Sequence, residues 1–316
     1  MLFRSQLEGA TTSRRVAKEL LRSGREPNDR SEWMILNNYR ALQHMREVGP
    51  TLEPATVIEL QRILTENTLD DPGAAGRLQT PDDVRVGVYD RQTDELLHQP
   101  PPAEQLPARL AALCAFANEP EDAEPFIHPV VRAILLHFWL AYDHPFEDGN
   151  GRTARALFYW YMRTRGYWLA EYLAVSQILA KAPANYSKAF LHAETDERDT
   201  TYFIVYQLQV IDRAISELHS YLGRKASEIR EVEGLIRAGS AEFNHRQLAL
   251  LSHAIRHPNQ VYAFQTHSVS HTVTHETARN DLLPLVDKGL LVRHRVGRRH
   301  TFTPHPRLAD SLKKLR

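Results

Sequence analysis

One cysteine, Cys114, occurs in 316 residues. A lone thiol rules out an internal disulfide framework and a multi-cysteine zinc site. It lies in the apolar run LAALCAFA, which reads as a small core residue rather than a reactive nucleophile. Long apolar runs are also missing, so no segment is expected to span a bilayer. The opening MLFRSQLEGATTS lacks the apolar core of a secretory signal, and a cytoplasmic protein without a membrane partner is the expectation. Net charge is absent too: 39 Lys and Arg offset 39 Asp and Glu. The whole-molecule field therefore selects no partner. No internal repeat or low-complexity segment interrupts the chain. What remains, 42% hydrophobic and 25% charged residues, is the composition of a folded globular protein. The length suits one large domain and a small one.

The balanced total conceals an uneven distribution. Residues 240–316 hold 12 Lys and Arg against 5 Asp and Glu, which leaves 27 against 34 for the rest. Nine of the 16 histidines also fall in this basic tail. Two modules with different partners are expected.

The body reads as helix. Trp33, Leu36, Tyr39, Leu42 and Met45 form a helical stripe over 31–48, and 50–65 repeats it. Asp70-Asp71-Pro72-Gly73 breaks the pattern. The alternating β-branched segment 84–89, a polar turn at 90–94 and a stop at Pro100-Pro101-Pro102 predict a hairpin. Helices follow at about 103–118 and 129–142, the latter apolar nearly all round and so central. Further helices are expected at 151–165, 173–181, 183–193 and 199–222. The tail predicts a helix at 244–257, a second from about 270–274 to 288, and two strands joined by a basic turn. Helix, helix and basic hairpin are the order of a winged helix-turn-helix. The fold class is mainly α. The expected division is 1–75 as an N-terminal helical region, 76–222 as the core, 223–243 as linker and 244–316 as the winged helix.

Chemistry concentrates in His144-Pro145-Phe146-Glu147-Asp148-Gly149-Asn150-Gly151-Arg152-Thr153-Ala154-Arg155. Pro145 disfavours helix at the residue before it, so the chain turns out at His144. Phe146 is the apolar anchor of the turn. Gly149 and Gly151 flank the start of a new helix, where backbone N–H groups and the helix dipole favour an anion. Arg152 and Arg155 stand three residues apart on one face, a pair of forks suited to a polyphosphate. Asp148 is a hard oxygen donor for Mg²⁺ beside that polyphosphate. His144 is the group in the loop that can take a proton near neutral pH. Each fragment alone is an ordinary turn; the whole set within twelve residues is not.

The segment matches the pattern H-x-F-x-[D/E]-G-N-G-R-x-x-R at every specified position, and the chain resembles the Fic family. The looser likeness runs from about residue 5 to 222, with 76–102 similar to the family's flap hairpin and Asn185-Tyr186 placed near its nucleotide pocket. The resemblance implies a helical core and transfer of AMP from MgATP to a protein hydroxyl of Ser, Thr or Tyr, on another protein or on itself. In that reading His144 deprotonates the hydroxyl and Asp148 holds Mg²⁺. Asn150 and the backbone of Gly149 and Gly151 hold the α- and β-phosphates. Arg152 binds the β/γ region, Arg155 the γ-phosphate, Tyr186 lines the nucleotide pocket, and the flap aligns the target by strand addition. Self-association into a homodimer is a further implication.

Glu8-Gly9 resembles the inhibitory motif [S/T]-x-x-x-E-[G/N] of such proteins. The position four before Glu8 is Arg4 rather than Ser or Thr, although Ser5 is adjacent. Glu8 is expected to pair with Arg155 and so displace the γ-phosphate.

In the tail, Thr274 and Arg279 on the second helix and Arg295, Arg298 and Arg299 on the basic hairpin are candidate DNA contacts. A protein-binding surface and a plain spacer are the alternatives. Two other functions remain open at this level. One is a DNA-binding regulator whose core senses a nucleotide. The other is de-AMPylation, or another nucleotide or phosphate transfer on the same core.

Overall fold

In the computed structural model, residues 14–85, 88–89, 96–173, 175–196, 199–238, 242–296 and 299–314 are described. They form two compact units, residues 1–218 and 219–316.

The first unit is helical apart from one hairpin. Its helices are α1 (Arg14–Ser23), α2 (Arg30–Glu47), α3 (Pro54–Thr65), α4 (Leu106–Asn118), α5 (Pro129–Asp143), α6 (Asn150–Thr164), α7 (Val175–Lys181) and α8 (Pro183–Thr195). The first part of α9 (Thr201–Ala238) completes it. Strands β1 (Val88–Tyr89) and β2 (Leu96–His98) pair antiparallel, with Val88 opposite His98. Local signals fix the helix starts. Asp29 caps α2 by accepting the Glu32 N–H, and Pro54, Pro107, Pro129 and Pro183 occupy first turns, where no N–H is needed.

The core gathers around α5 and α6. Ala133, Ile134, Leu136 and Leu140 of α5 are fully buried. On α6 the burial runs without a break from Leu157 to Met162, so that helix is enclosed on all sides. Its sequence is polar at the start and aromatic later, which hides this position. Helix α3 contributes Val57, Leu60 and Leu64, spaced three and four apart on the face that meets the core. Cys114 is buried in the same cluster, and burial pushes its thiol up to about 12, which makes it unreactive.

The second unit runs α10 (His245–Arg256), β3 (Tyr262–Ala263), α11 (Phe264–His271), α12 (His275–Asp287), β4 (Leu291–Val296), β5 (Arg299–Pro304) and α13 (Leu308–Lys314). Its sheet has the order β3-β5-β4, all antiparallel, with Tyr262 and Arg293 both opposite Phe302. Leu250, Leu251, Leu282, Leu285, Leu290 and Phe302 form its core. One buried carboxylate, Asp281, ties the helices together. It accepts from Arg246 at 2.7 Å and from the Asn244 amide at 2.7 Å, both at the start of α10. It also accepts from His267 Nε2 of α11 at 3.0 Å. Burial pushes this acid up, but Arg246, His267 and Asn244 outweigh it and hold the carboxyl at about 2.

Helices α9 and α11 differ from the sequence expectation, and the start of α12 is now fixed. Helix α9 continues to Ala238, so most of the segment read as linker is helical. Helix α11 precedes α12 and carries apolar Phe264 and Val269 without a regular stripe, which left it unread. Thr274 is the N-cap of α12, its hydroxyl accepting the Thr277 N–H, so the helix starts at the later of the two expected places.

Candidate active site

The loop between α5 and α6 is built by contacts that the sequence does not display. Helix α5 ends at Asp143, and His144 caps it in the left-handed region, φ 46° and ψ 54°. Its N–H still reaches the Leu140 carbonyl at 3.1 Å. For a residue with a Cβ this conformation costs roughly 1–2 kcal/mol, so neighbouring structure must hold it. Pro145 follows and its carbonyl accepts the Gln79 N–H at 2.9 Å. Phe146 is fully buried. The Asn150 side chain serves both backbone groups of Phe146, accepting its N–H at 2.9 Å and donating to its carbonyl at 2.7 Å. This amide therefore shapes the loop.

Gly149 is required twice over. Its φ is 84°, and a Cβ there would lie 2.6 Å from the Thr65 methyl of α3. The close approach places α3 directly behind the loop, where Gln61 donates to the Asp148 carbonyl at 3.0 Å and accepts the Gly76 N–H at 2.6 Å. Helix α6 then opens at Asn150, and Thr153 supplies the first intrahelical bond, to the Gly149 carbonyl at 2.9 Å. The N–H groups of Asn150 and Gly151 precede it and have no acceptor four residues back within the helix. They leave that end of α6 suited to an anion.

His144 is mostly enclosed. Burial lowers its proton affinity first; nearby His98 and Arg85 lower it further, while the Ala141 carbonyl and Asp148 oppose them. Nδ1 lies 3.3 Å from the Ala141 carbonyl. A carbonyl only accepts, so the neutral ring carries its proton on Nδ1 and keeps a lone pair on Nε2. The imidazole is thus a neutral base at neutral pH.

The charged groups are arranged for mutual support. Arg152 is almost wholly buried and donates to the Leu64 carbonyl at 2.8 Å and to Asp148 at 2.9 Å. Arg30 of α2 approaches the same Asp148 oxygen at 3.8 Å. The Asp148 carboxylate is half exposed and also accepts the Gly149 N–H. Arg155 is buried one turn further along α6, and its charge is felt by His137 of α5. His137 is fully enclosed; burial, with help from Arg155, brings it down to about 3, so it is neutral. Its Nε2 meets the Tyr186 hydroxyl at 2.8 Å, and the Tyr186 ring packs beside Phe190 and Phe203. Tyr186 is thereby tied to α5 behind Arg155.

Sequence reasoning missed four further residues. Arg85, just before β1, donates to the carbonyls of Asp143, His144 and Pro101 and to Gln79. Gln79 and Gln61 brace the loop as described. His98, at the end of β2, meets the Tyr142 carbonyl at 2.6 Å through Nε2. A lone Arg, Gln or His, with no partner near it in the chain, carries no pattern that sequence reading could have used.

Glu8, Arg298 and the hairpin residues 90–95 lie outside the described residues, and of Arg299 only the backbone is described. In the second unit Thr274, Arg279 and Arg295 are exposed. Burial lowers the proton affinity of His300, and Arg293, Arg295 and Arg279 lower it further, which brings the two basic elements to one surface.

Fold and loop together define a helical domain in which a helix start lies beside a neutral imidazole. Residues 51–162 match the Fic/DOC family. The protein adenylyltransferase Fic of Nematostella vectensis is 44% identical over 62 residues, which are 19% of this chain and 14% of that protein. The protein adenylyltransferase fic-1 of Caenorhabditis elegans is 32% identical over 111 residues, 35% of this chain and 19% of that protein. The matched segments are therefore a small part of both relatives. Among solved structures, a Fic family protein from Desulfovibrio desulfuricans aligns over 96% of this chain and 84% of its own, with a TM-score of 0.60 and 19% identity. Fic-1 of C. elegans aligns over 69% of this chain and 62% of its own, with a TM-score of 0.51 and 24% identity. These two share the fold. Among the described residues no helix is long and apolar enough to cross a membrane.

Proposed function

We propose that the chain is a protein adenylyltransferase, which moves AMP from ATP to a hydroxyl of a protein. The supporting observation is His144, neutral and with Nε2 unprotonated, held at the mouth of a loop that offers backbone N–H groups to an anion. In the proposed step the hydroxyl oxygen attacks the α-phosphorus, and its proton passes to His144 Nε2. The bond from the α-phosphorus to its bridging oxygen breaks, and pyrophosphate leaves. The first turn of α6 stabilises the phosphate charge, so that the chain's contribution is mostly positioning and electrostatics. Arg155 and Arg152 add positive potential behind it. The half-exposed Asp148 suits Mg²⁺, which takes one or two carboxylates and completes its shell with phosphate and water oxygens. Among the described residues no group of three or more His, Cys, Asp or Glu could hold a metal without such help. When bound, Mg²⁺ would neutralise charge on the leaving pyrophosphate.

Incubation with labelled ATP and Mg²⁺ tests the reading. Label should appear on protein and fall about 10²–10⁴-fold in His144→Ala. Equal labelling of both proteins would refute it. Restraint by Glu8 through Arg155 belongs to the same proposal and rests on the Glu8-Gly9 motif.

A second reading comes from the C-terminal unit. Its order of helices and strands, with exposed Arg279, Arg293 and Arg295 beside His300, supports a winged helix-turn-helix that binds DNA.

A further inference from the structure

Arg85 is not part of the motif, yet its guanidinium grips the base of the loop. Its Nη1 donates to the His144 carbonyl at 2.8 Å and to Gln79 Oε1 at 2.5 Å. Its Nη2 donates to the Asp143 carbonyl at 2.8 Å and, with Nε at 3.1 Å, to the Pro101 carbonyl at 2.8 Å. Four acceptors from three segments thus converge on one fork. Asp143 and His144 are the last residues of α5, where carbonyls lack helical partners and the dipole end is negative. Pro101 and Arg85 itself stand at the two roots of the hairpin. Gln79, held by the fork, also donates its N–H to the Pro145 carbonyl at 2.9 Å. Residues 143, 144 and 145 are therefore all gripped from the same side.

We propose that Arg85 is a positioning residue, which locks the left-handed turn at His144 to both roots of the hairpin so that base and hairpin are set as one unit. The proposal rests on the adenylyl-transfer reading for its kinetic consequence, but not for its structural one. The ring of His144 is aimed by its backbone, and that backbone is in the left-handed region, which a residue with a Cβ adopts only uncommonly. A planar guanidinium reaches acceptors on opposite sides at once; an ammonium, a point charge on a flexible stem, does not. Arg85→Lys keeps the charge and loses the bridge. Arg85→Gln loses both.

The test has two readouts on the full chain. In ring-¹⁵N spectra above pH 8, wild-type His144 should show the Nδ1–H tautomer alone. Arg85→Gln should show a mixture of tautomers and a shifted His144 backbone signal, and Arg85→Lys should resemble it. In self-labelling assays kcat should fall by about 10²-fold in both variants, the cost of a misplacement near 1 Å. KM for MgATP should stay within about twofold, because Arg85 touches no phosphate-binding group. Should Arg85→Gln lose its helical circular dichroism, Arg85→Lys decides on the same measurements. Wild-type tautomer and backbone signals together with wild-type kcat in Arg85→Lys would overturn the proposal. Should the wild type transfer no label, adenylyl transfer fails, and the His144 spectra alone decide the clamp.

Discussion

At the scale of single residues, the site depends on which side-chain atoms are already engaged. His144 gives its Nδ1 proton to Ala141 and keeps Nε2 for chemistry. The side chains of Asn150 and Arg152, candidate phosphate contacts, hold Phe146, Leu64 and Asp148 in place. Replacing either should therefore disturb loop geometry before it disturbs nucleotide affinity. The lowered proton affinity of His144 has a testable sign. A general base works only unprotonated, so the rate should be flat at neutral pH and fall as pH drops through a value below the ordinary histidine value of about 6.5. A pH profile of labelling checks this. An acid limb centred near or above about pH 7 would show that burial does not control the base.

At the scale of elements, the loop is a seam between α3, α5, α6 and the hairpin. Gly149 shows how tight that seam is. Alanine there meets a left-handed backbone, costing about 1–2 kcal/mol, and the Thr65 methyl at 2.6 Å. Overpacking adds typically 1–3 kcal/mol. Gly149→Ala should lower stability by the sum of the two in chemical denaturation. Adding Thr65→Ser removes the methyl and keeps the hydroxyl, which bonds to the Gln61 carbonyl at 2.8 Å. The double variant should recover the overpacking part and leave the backbone part. Full recovery, or none, would contradict this division. Helix α6 was legible as an element but not as the most enclosed one, because Arg152 and Arg155 give it a surface-like sequence while being buried. The hairpin was legible from alternation and its triple proline. Its attachment to the end of α5 through Arg85, Gln79 and His98 was not, because those contacts join positions from 44 to 66 residues apart.

At the scale of the whole molecule, an acidic body and a basic tail correspond to two compact units. If Glu8 restrains the body, Glu8→Gly should raise self-labelling several-fold without altering the His144 requirement; unchanged labelling would remove Glu8 from the scheme. If the second unit binds DNA, Arg279→Ala and Arg295→Ala should each weaken binding of duplex DNA. Where the lost contact is to phosphate, the salt slope should shrink by about one. A gel-shift series over salt concentration measures this. Binding that is absent in the wild type, or indifferent to both arginines, would leave the unit as a protein surface.

The sequence by itself determined the helical class, and it marked the 144–155 loop as the candidate site and the charge shift between body and tail. Each of these is written in short-range signals: a proline after a histidine, glycines before a helix, apolar spacing, a shift in charge. Only the tertiary structure decided which distant segments the side chains of that loop hold. It alone brought Thr65 against Gly149 and Arg85 against the end of α5. Close packing and the pairing of buried carbonyls depend on segments distant in the chain, and spacing along the chain carries no record of them.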